Sequence, residues 1–218
     1  MALRLTPPDQ FNDPFEMCPP IDVADVDELT AISNVTTEIT SELLSNLLHS
    51  TLREALGALC FTKNGNHPLM WAHYADEHKG AVIKFKTDRA CFNRGDYNED
   101  VGKFVDISYT KLRPVLNAAS SKKAITILAL SKAADWEYEE EMRFLLPLSV
   151  ADKVIDNKYH LINIDPLSVE SIILGCRASD DFINQVVETV RTKSDMSHVN
   201  LYKSEPCKKH YALNYVEL

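Results

Sequence analysis

The sequence is poor in several features that would point to a function class. Its five cysteines (Cys18, Cys60, Cys91, Cys176, Cys207) form no CxxC pair, and none lies within metal-ligand spacing of a histidine. That odd, scattered set fits reduced thiols in a cytoplasm better than a disulfide framework or a zinc site. Basic residues are outnumbered, with 23 Lys and Arg against 32 Asp and Glu, giving a net charge of -9. Phosphate-backbone affinity comes mainly from Lys and Arg, so a duplex nucleic-acid surface is not expected. Arg4, Arg53, Arg113, Arg143 and Arg177 could still furnish a local basic pocket. No run approaches the ~18 consecutive apolar residues of a membrane span. The opening "MALRLTPPDQF" lacks a charged leader followed by an apolar stretch, so no signal peptide is readable. Neither repeat, low-complexity tract nor linker divides the chain. The expectation is an intracellular, cytoplasmic protein with residues 1–218 as a single globular domain.

The positive signals are of mixed period. Residues 2 to 6 alternate like a short strand before Pro7 and Pro8, and "FNDPFE" (Phe11 to Glu16) reads as a turn between two aromatics that anchor it. From Thr37 to Leu56, Leu43, Leu44, Leu47, Leu48, Leu52 and Leu56 recur at helical spacing. "ALCFT" reads as a buried strand, with Cys60 as a small hydrophobe. "PLMWAHYADEHK" reads as a helix with Pro68 at its start and Gly80 as a left-handed cap. "AVIKF" and "KFVDISYT" follow as strands, Ala118 to Ala134 as a helix, and "YHLINI" and "SIILG" as strands. "SDDFINQVVETVRTK" is a capped helix carrying Phe182, Val186, Val187 and Val190, and "VNLYK" and "YALNYVE" close the chain as strands. The fold class is α+β, with a mixed, largely antiparallel sheet flanked by helices.

One stretch combines acids and aromatics in an unusual way. In "DWEYEEEMRFL" (residues 135 to 145) the aromatics make no stripe at 100° per residue, whereas period two sorts them. As a strand it puts Trp136, Tyr138, Met142 and Phe144 on one side and Glu137, Glu139, Glu141 and Arg143 on the other. Three carboxylates spaced roughly 6.8 Å apart repel one another unless a positive group lies between them. That face is either solvated and neutralised by neighbouring cations, or it lines a cleft where Glu139 or Glu141 acts as a general base or holds a developing cation.

A second cluster is "MWAHYADEHKG". On one helix His73 and Glu77 are four apart, as are Tyr74 and His78. His73 and His78 are five apart and diverge, which excludes HExxH metal chemistry. Trp71 and Tyr74 suit the core or its rim as well as a stacking platform.

Taken together and in this order, "LRLTPPDQFNDPFE", "CFTKNGNHPLMWAHYADEHKGAVIKF", Tyr109 to Pro114, "WEYEEEMRF" and "IILGCRAS" resemble the bacterial domain-of-unknown-function 2971 family. Members usually open with a further segment before the FNDP turn, so the resemblance implies that this chain lacks an N-terminal segment usual in the family. In general plan the chain is also similar to ADP-ribosyltransferases, and Glu139-x-Glu141 to the paired-glutamate motif of one branch of them. That similarity implies an NAD- or nucleotide-directed enzyme with Glu139 and Glu141 as catalytic carboxylates. Arg4, Asn12, Asp13, Trp71, His73, Tyr74 and Arg143 would then contact the substrate, with NAD as the candidate substrate and a small-molecule nucleotide as the expected partner. The physical sense is that a fixed carboxylate stabilises the oxocarbenium character of a breaking glycosidic bond. Two other classes stand beside this one. The first is a non-catalytic binding or regulatory module in which the same motifs stabilise the fold. The second is a metal-dependent nuclease using Glu139 and Glu141, for which a companion lysine at a matching position and a basic track for the substrate are missing.

Overall fold

The computed structural model describes residues 1–18, 20, 37–94, 100–115 and 124–218. In chain order come β1 (Ala2–Leu5), α1 (Thr37–Ala55), β2 (Leu56–Thr62), α2 (Pro68–Tyr74), β3 (Ala81–Phe85), β4 (Phe104–Asp106) and β5 (Ser108–Thr110). Then follow α3 (Ala124–Ala129), β6 (Ser131–Ala133), β7 (Glu141–Pro147), β8 (Lys153–Ile155), β9 (Tyr159–Asn163), β10 (Val169–Leu174), α4 (Asp180–Thr192), β11 (Asn200–Pro206) and β12 (Leu213–Glu217). The protein is α+β with mostly antiparallel pairing, and its strands are shared among small sheets ordered β1-β9-β8, β12-β11-β10-β3, β2-β7-β4 and β5-β6. The chain resolves into two compact units, one of Thr62–Arg94 and Asn163–Leu218 with Met1, the other of Ala2–Phe61 and Gly95–Ile162.

In the first unit β10 is central, parallel to β11 and antiparallel to β3, with a bulge between Val169 and Ser171. Because successive side chains alternate faces, Ile172 packs on one side with Val186, Val187, Val190 and Leu201. Ile173 packs on the other side with Trp71, Ala75 and Leu213. α4 begins as its sequence dictates: the Ser179 hydroxyl accepts the Phe182 N–H at 3.2 Å, and Asp180 and Asp181 occupy the first turn.

α2 is shorter than its pattern suggests. Pro68 does open it, but it ends at Tyr74, and Asp76, Glu77 and His78 follow with φ of 46°, 52° and 70°. Three successive left-handed non-glycine residues cost about 1–2 kcal/mol each. Local bonding offsets this: His78 N–H donates to the Trp71 carbonyl, Gly80 N–H to the Ala75 carbonyl, and Arg177 N–H to the His78 carbonyl. The His78 ring also lies parallel to Trp71, with centroids 6.2 Å apart. Gly80 is therefore not the left-handed cap; a Cβ there would make a tight contact, 3.1 Å, with the Ala75 backbone. The expected His73–Glu77 pair does not form, because Glu77 lies beyond the helix and pairs with Lys79 at 3.0 Å.

In the second unit β7 lies between β2 and β4 and is buried along most of its length. Leu145 joins a core with Met17, Ala58, Ile107 and Ala129, while Phe144 meets Phe104 at 5.3 Å on the other face. Two leucine positions of α1 depart from the amphipathic expectation: Leu52 is buried, but Leu43 and Leu47 are 68% and 60% exposed. The helix expected over Ala118 to Ala134 is present only as α3, gives way to β6, and has its first residues outside the described ones. No helix among the described residues is long and apolar enough to cross a membrane.

The close approach of two backbones gives a direct test. A Cβ on Gly175 would lie 1.9 Å from the His78 carbonyl oxygen, whereas one on Gly65 would meet nothing nearer than 3.7 Å. Gly175→Ala is expected to lose about 3 kcal/mol in urea unfolding, the top of the usual overpacking range. Gly65→Ala is expected to stay within about 0.5 kcal/mol of the parent.

Candidate functional site

The stretch of acids and aromatics is not one strand. Residues Ala134–Glu139 form a 3-10 helix, Glu140 is left-handed with φ 43° and ψ 48°, and only from Glu141 onward does the chain extend as β7. This break overturns the side assignment at its first half: Trp136 and Tyr138 are half-buried on the 3-10 turn, while Glu139 is buried. Glu139 and Glu141 still converge, because the left-handed residue between them turns both carboxylates toward one lysine. Of the acidic side only Glu137 is exposed to solvent; Glu139, Glu141 and Arg143 are 3%, 5% and 1% exposed.

Arg143 is the hub. Its Nε donates to Glu141 Oε1 at 2.6 Å, its Nη1 to the Ala129 carbonyl at 2.7 Å, and its Nη2 to Glu16 Oε2. Phe11 lies against the guanidinium at 4.9 Å. Such fork-shaped recognition of two carboxylates and a carbonyl suits arginine and not lysine. Lys132, on β6, is the second cation: its Nζ is 2.5 Å from Glu139 Oε2, 3.1 Å from Glu141 Oε2 and 2.9 Å from Glu16 Oε1. The Trp136 ring lies 5.1 Å from that ammonium. Tyr109 completes the shell, its hydroxyl accepting the Glu141 N–H at 2.7 Å.

These contacts set the charge states. Burial pushes the Glu141 carboxyl up, but the Arg143 guanidinium, aided by Lys132, outweighs it and holds the group below its ordinary 4.5. Burial alone would lower Lys132, yet Glu141 and Glu16 reverse that and raise it. Cys60, on β2, is exposed, yet desolvation and then the neighbouring Glu141 carboxylate push its thiol well up. It is a neutral donor and not a nucleophilic thiolate.

A cleft of about 210 Å³ opens over this network. Lys132 and Glu16 reach its wall together with Asp13, Phe15, Leu112 and Arg113, whereas Glu139, Glu141 and Arg143 lie behind them. The FNDPFE turn builds this wall: Asp13 Oδ1 accepts the Phe15 N–H at 2.9 Å, and Glu16 points inward. Phe11 is half-buried as expected, but Phe15, the second supposed anchor, is 60% exposed under Arg113.

Of the residues picked out from sequence, Asp13, Glu139, Glu141 and Arg143 belong to this unit and border or form the network. Arg4 instead lies over the Tyr159 ring at 4.9 Å, and Asn12 is exposed on the turn. Trp71, His73 and Tyr74 belong to the other unit. There Trp71 is fully buried, its Nε1 donating to the Gly65 carbonyl at 2.8 Å, while His73 and Tyr74 are exposed and meet edge to face at 6.3 Å. Sequence reasoning missed Lys132 and Glu16. Lys132 sits seven residues ahead of Glu139, and its signal was a lone cation in the apolar run "ILALSKAA".

The family model described as "Protein of unknown function (DUF2971)" matches residues 70–144. The DUF2971 resemblance is borne out over that stretch. The DUF2971 stretch takes in Trp71 and the run from Lys132 to Arg143, but Asp13 and Glu16 lie ahead of it. No curated protein and no solved structure matches the chain.

Two measurements test the network. Arg143→Met leaves Glu16 and Glu141 buried without their main partner and is expected to cost about 3–5 kcal/mol. Arg143→Lys should recover little of it, because an ammonium cannot span all three acceptors. Because the folded Glu141 value lies below the ordinary one, its stabilisation is complete above about pH 4.5 and is lost as pH falls through the folded value. Glu141→Gln is accordingly expected to be less stable at pH 7 but to lose less on acidification, as read from urea midpoints between pH 7 and 3.

Proposed function

We propose that the second unit is a ligand-binding module: its cleft takes a small molecule, and Glu139, Glu141 and Arg143 hold the cleft wall in place without reacting. The observation that carries this reading is the double membership of Lys132 and Glu16, which belong both to the buried network and to the cleft lining. A wall residue so fixed is preorganised, which is what a binding site needs.

The alternative of an NAD-directed enzyme asks that Glu139 or Glu141 face the substrate. Glu139 is closed off by Lys132 at 2.5 Å, and Glu141 is shared between Lys132 and Arg143. The cleft, at about 210 Å³, is also below the ~300–1,000 Å³ that hold drug-sized ligands, let alone a dinucleotide. For the nuclease alternative, the Lys132 ammonium occupies the place between the two carboxylates where a divalent ion would bind. Among the described residues no group of three or more His, Cys, Asp and Glu side chains is arranged to hold a metal.

The test is a fragment screen by ligand-observed NMR, repeated with NAD. Small fragments are expected to bind the parent protein and to lose most of that binding in Phe15→Ala, whose ring is exposed. Glu139→Gln is expected to lower stability by about 1–3 kcal/mol. Release of nicotinamide from NAD, abolished in Glu139→Gln with the fold intact, would contradict the proposal.

A further inference from the structure

The first unit carries an asparagine placed to modify itself. We infer that the Gly65 backbone nitrogen attacks the side-chain amide of Asn64, expels ammonia and leaves a cyclic imide that water reopens as aspartate or isoaspartate, and that this rearrangement detaches the Trp71 indole from the turn that holds it. The only co-reactant is water. The Gly65 N–H proton passes to solvent as its nitrogen bonds to Asn64 Cγ; the Cγ–Nδ2 bond then breaks, and Nδ2 takes up a solvent proton and departs as ammonia. Water entering at Cγ gives aspartate. Water entering at the main-chain carbonyl carbon of residue 64 gives isoaspartate, with the chain now running through Cβ and Cγ.

Sequence and space both favour ring closure here. Asn64 is followed by Gly65, and no other asparagine of the chain precedes a glycine. Without a Cβ the attacking nitrogen is unshielded, and its backbone rotates at little cost. There is room for that rotation, since a Cβ on Gly65 would meet nothing nearer than 3.7 Å.

The turn also aligns the reacting groups. Asn64 Oδ1 accepts the Asn66 N–H at 3.2 Å in an exposed setting, and the Asn64 N–H donates to the Thr62 hydroxyl at 2.9 Å. The first of these bonds closes an Asx-turn whose ring contains both reacting atoms, Asn64 Cγ and the Gly65 nitrogen, separated only by Cβ, Cα and the main-chain carbonyl carbon. It further places an N–H donor on the oxygen that takes up negative charge as the nitrogen adds. The nucleophile is not engaged elsewhere: among the described residues the Gly65 N–H donates no hydrogen bond.

The consequence follows from what Gly65 holds. Its carbonyl accepts both the Trp71 Nε1–H and the Tyr215 hydroxyl, each at 2.8 Å. Trp71 is fully buried, and Tyr215 packs against its cluster. Isoaspartate lengthens the main chain by one carbon immediately ahead of Gly65 and adds a carboxylate beside it, so the two donors lose their shared acceptor.

The experiment incubates the full chain in mildly alkaline buffer. Residue 64 is followed by peptide mass spectrometry with fragmentation that separates aspartate from isoaspartate, and the Trp71 Nε1–H by NMR hydrogen exchange. Asn64 is expected to show the amide-to-acid mass gain before any other asparagine, at a rate no more than about tenfold below that of the urea-unfolded chain. In the modified protein the Trp71 Nε1–H should exchange at least about tenfold faster than in the parent. Gly65→Ala, which keeps the fold, should slow the mass gain by at least about tenfold. A folded rate further below that of the unfolded chain, or an undiminished rate in Gly65→Ala, would overturn the assignment of the site. A modified protein whose Trp71 Nε1–H exchanges as slowly as the parent's would overturn its link to the core.

Discussion

The second unit depends on one guanidinium. Arg143 sits in the middle of β7 with almost no exposed surface, and it reaches a carboxylate on its own strand, a carbonyl at the end of α3 and a carboxylate on the FNDPFE turn. Removing such a group from water is expensive, and only near-complete pairing makes it tolerable. The surrounding elements meet that demand: the turn at residues 11–17 brings Glu16 and Phe11, and α3 brings the Ala129 carbonyl, while Lys132 pairs with Glu139 and shares Glu16 and Glu141 with the guanidinium. What the network contributes is position more than net stability, because a well-packed apolar cluster of the same volume would cost less to bury.

That view explains the composition of the motifs. Glu16 is the acidic end of FNDPFE because two cations wait for it. Glu139 and Glu141 flank a left-handed Glu140 because both must meet Lys132 from different local geometries. Trp136 and Phe11 lie over the two cations, supplying apolar cover that still favours positive charge. In the other unit the MWAHYA segment has a comparable structural task. Its tryptophan is core, and the left-handed turn after it is fixed by backbone bonds to the segment following β10.

Much of the fold was legible where a single period dominated. β10, β11, β12 and α4 follow directly from their alternation, their Ser179 cap and the Val186, Val187, Val190 stripe. Legibility failed where two geometries share one pattern. A 3-10 turn followed by a left-handed residue and a strand sorts Trp136, Tyr138 and the glutamates nearly as a continuous strand would, and only φ at Glu140 distinguishes them. The helix at residues 68 to 79 failed for another reason: its side-chain pattern continues past Tyr74, but the left-handed turn bonds to Gly175 and Arg177, about a hundred residues away in sequence. Glu16 was invisible as a partner of Arg143, 127 positions away, and Lys132 as a partner of Glu139 and Glu141, 7 and 9 positions away, because no local spacing rule links them.

Glu16 and Arg143 act as one unit, tying the turn to β7. A double-mutant cycle with Glu16→Gln, Arg143→Met and the pair, measured by urea unfolding at pH 7, addresses it most directly. A coupling energy above about 1 kcal/mol is expected, since each single variant strands the other group's charge. Additivity within about 0.3–0.5 kcal/mol would contradict it, and would mean that the two residues stabilise the fold independently.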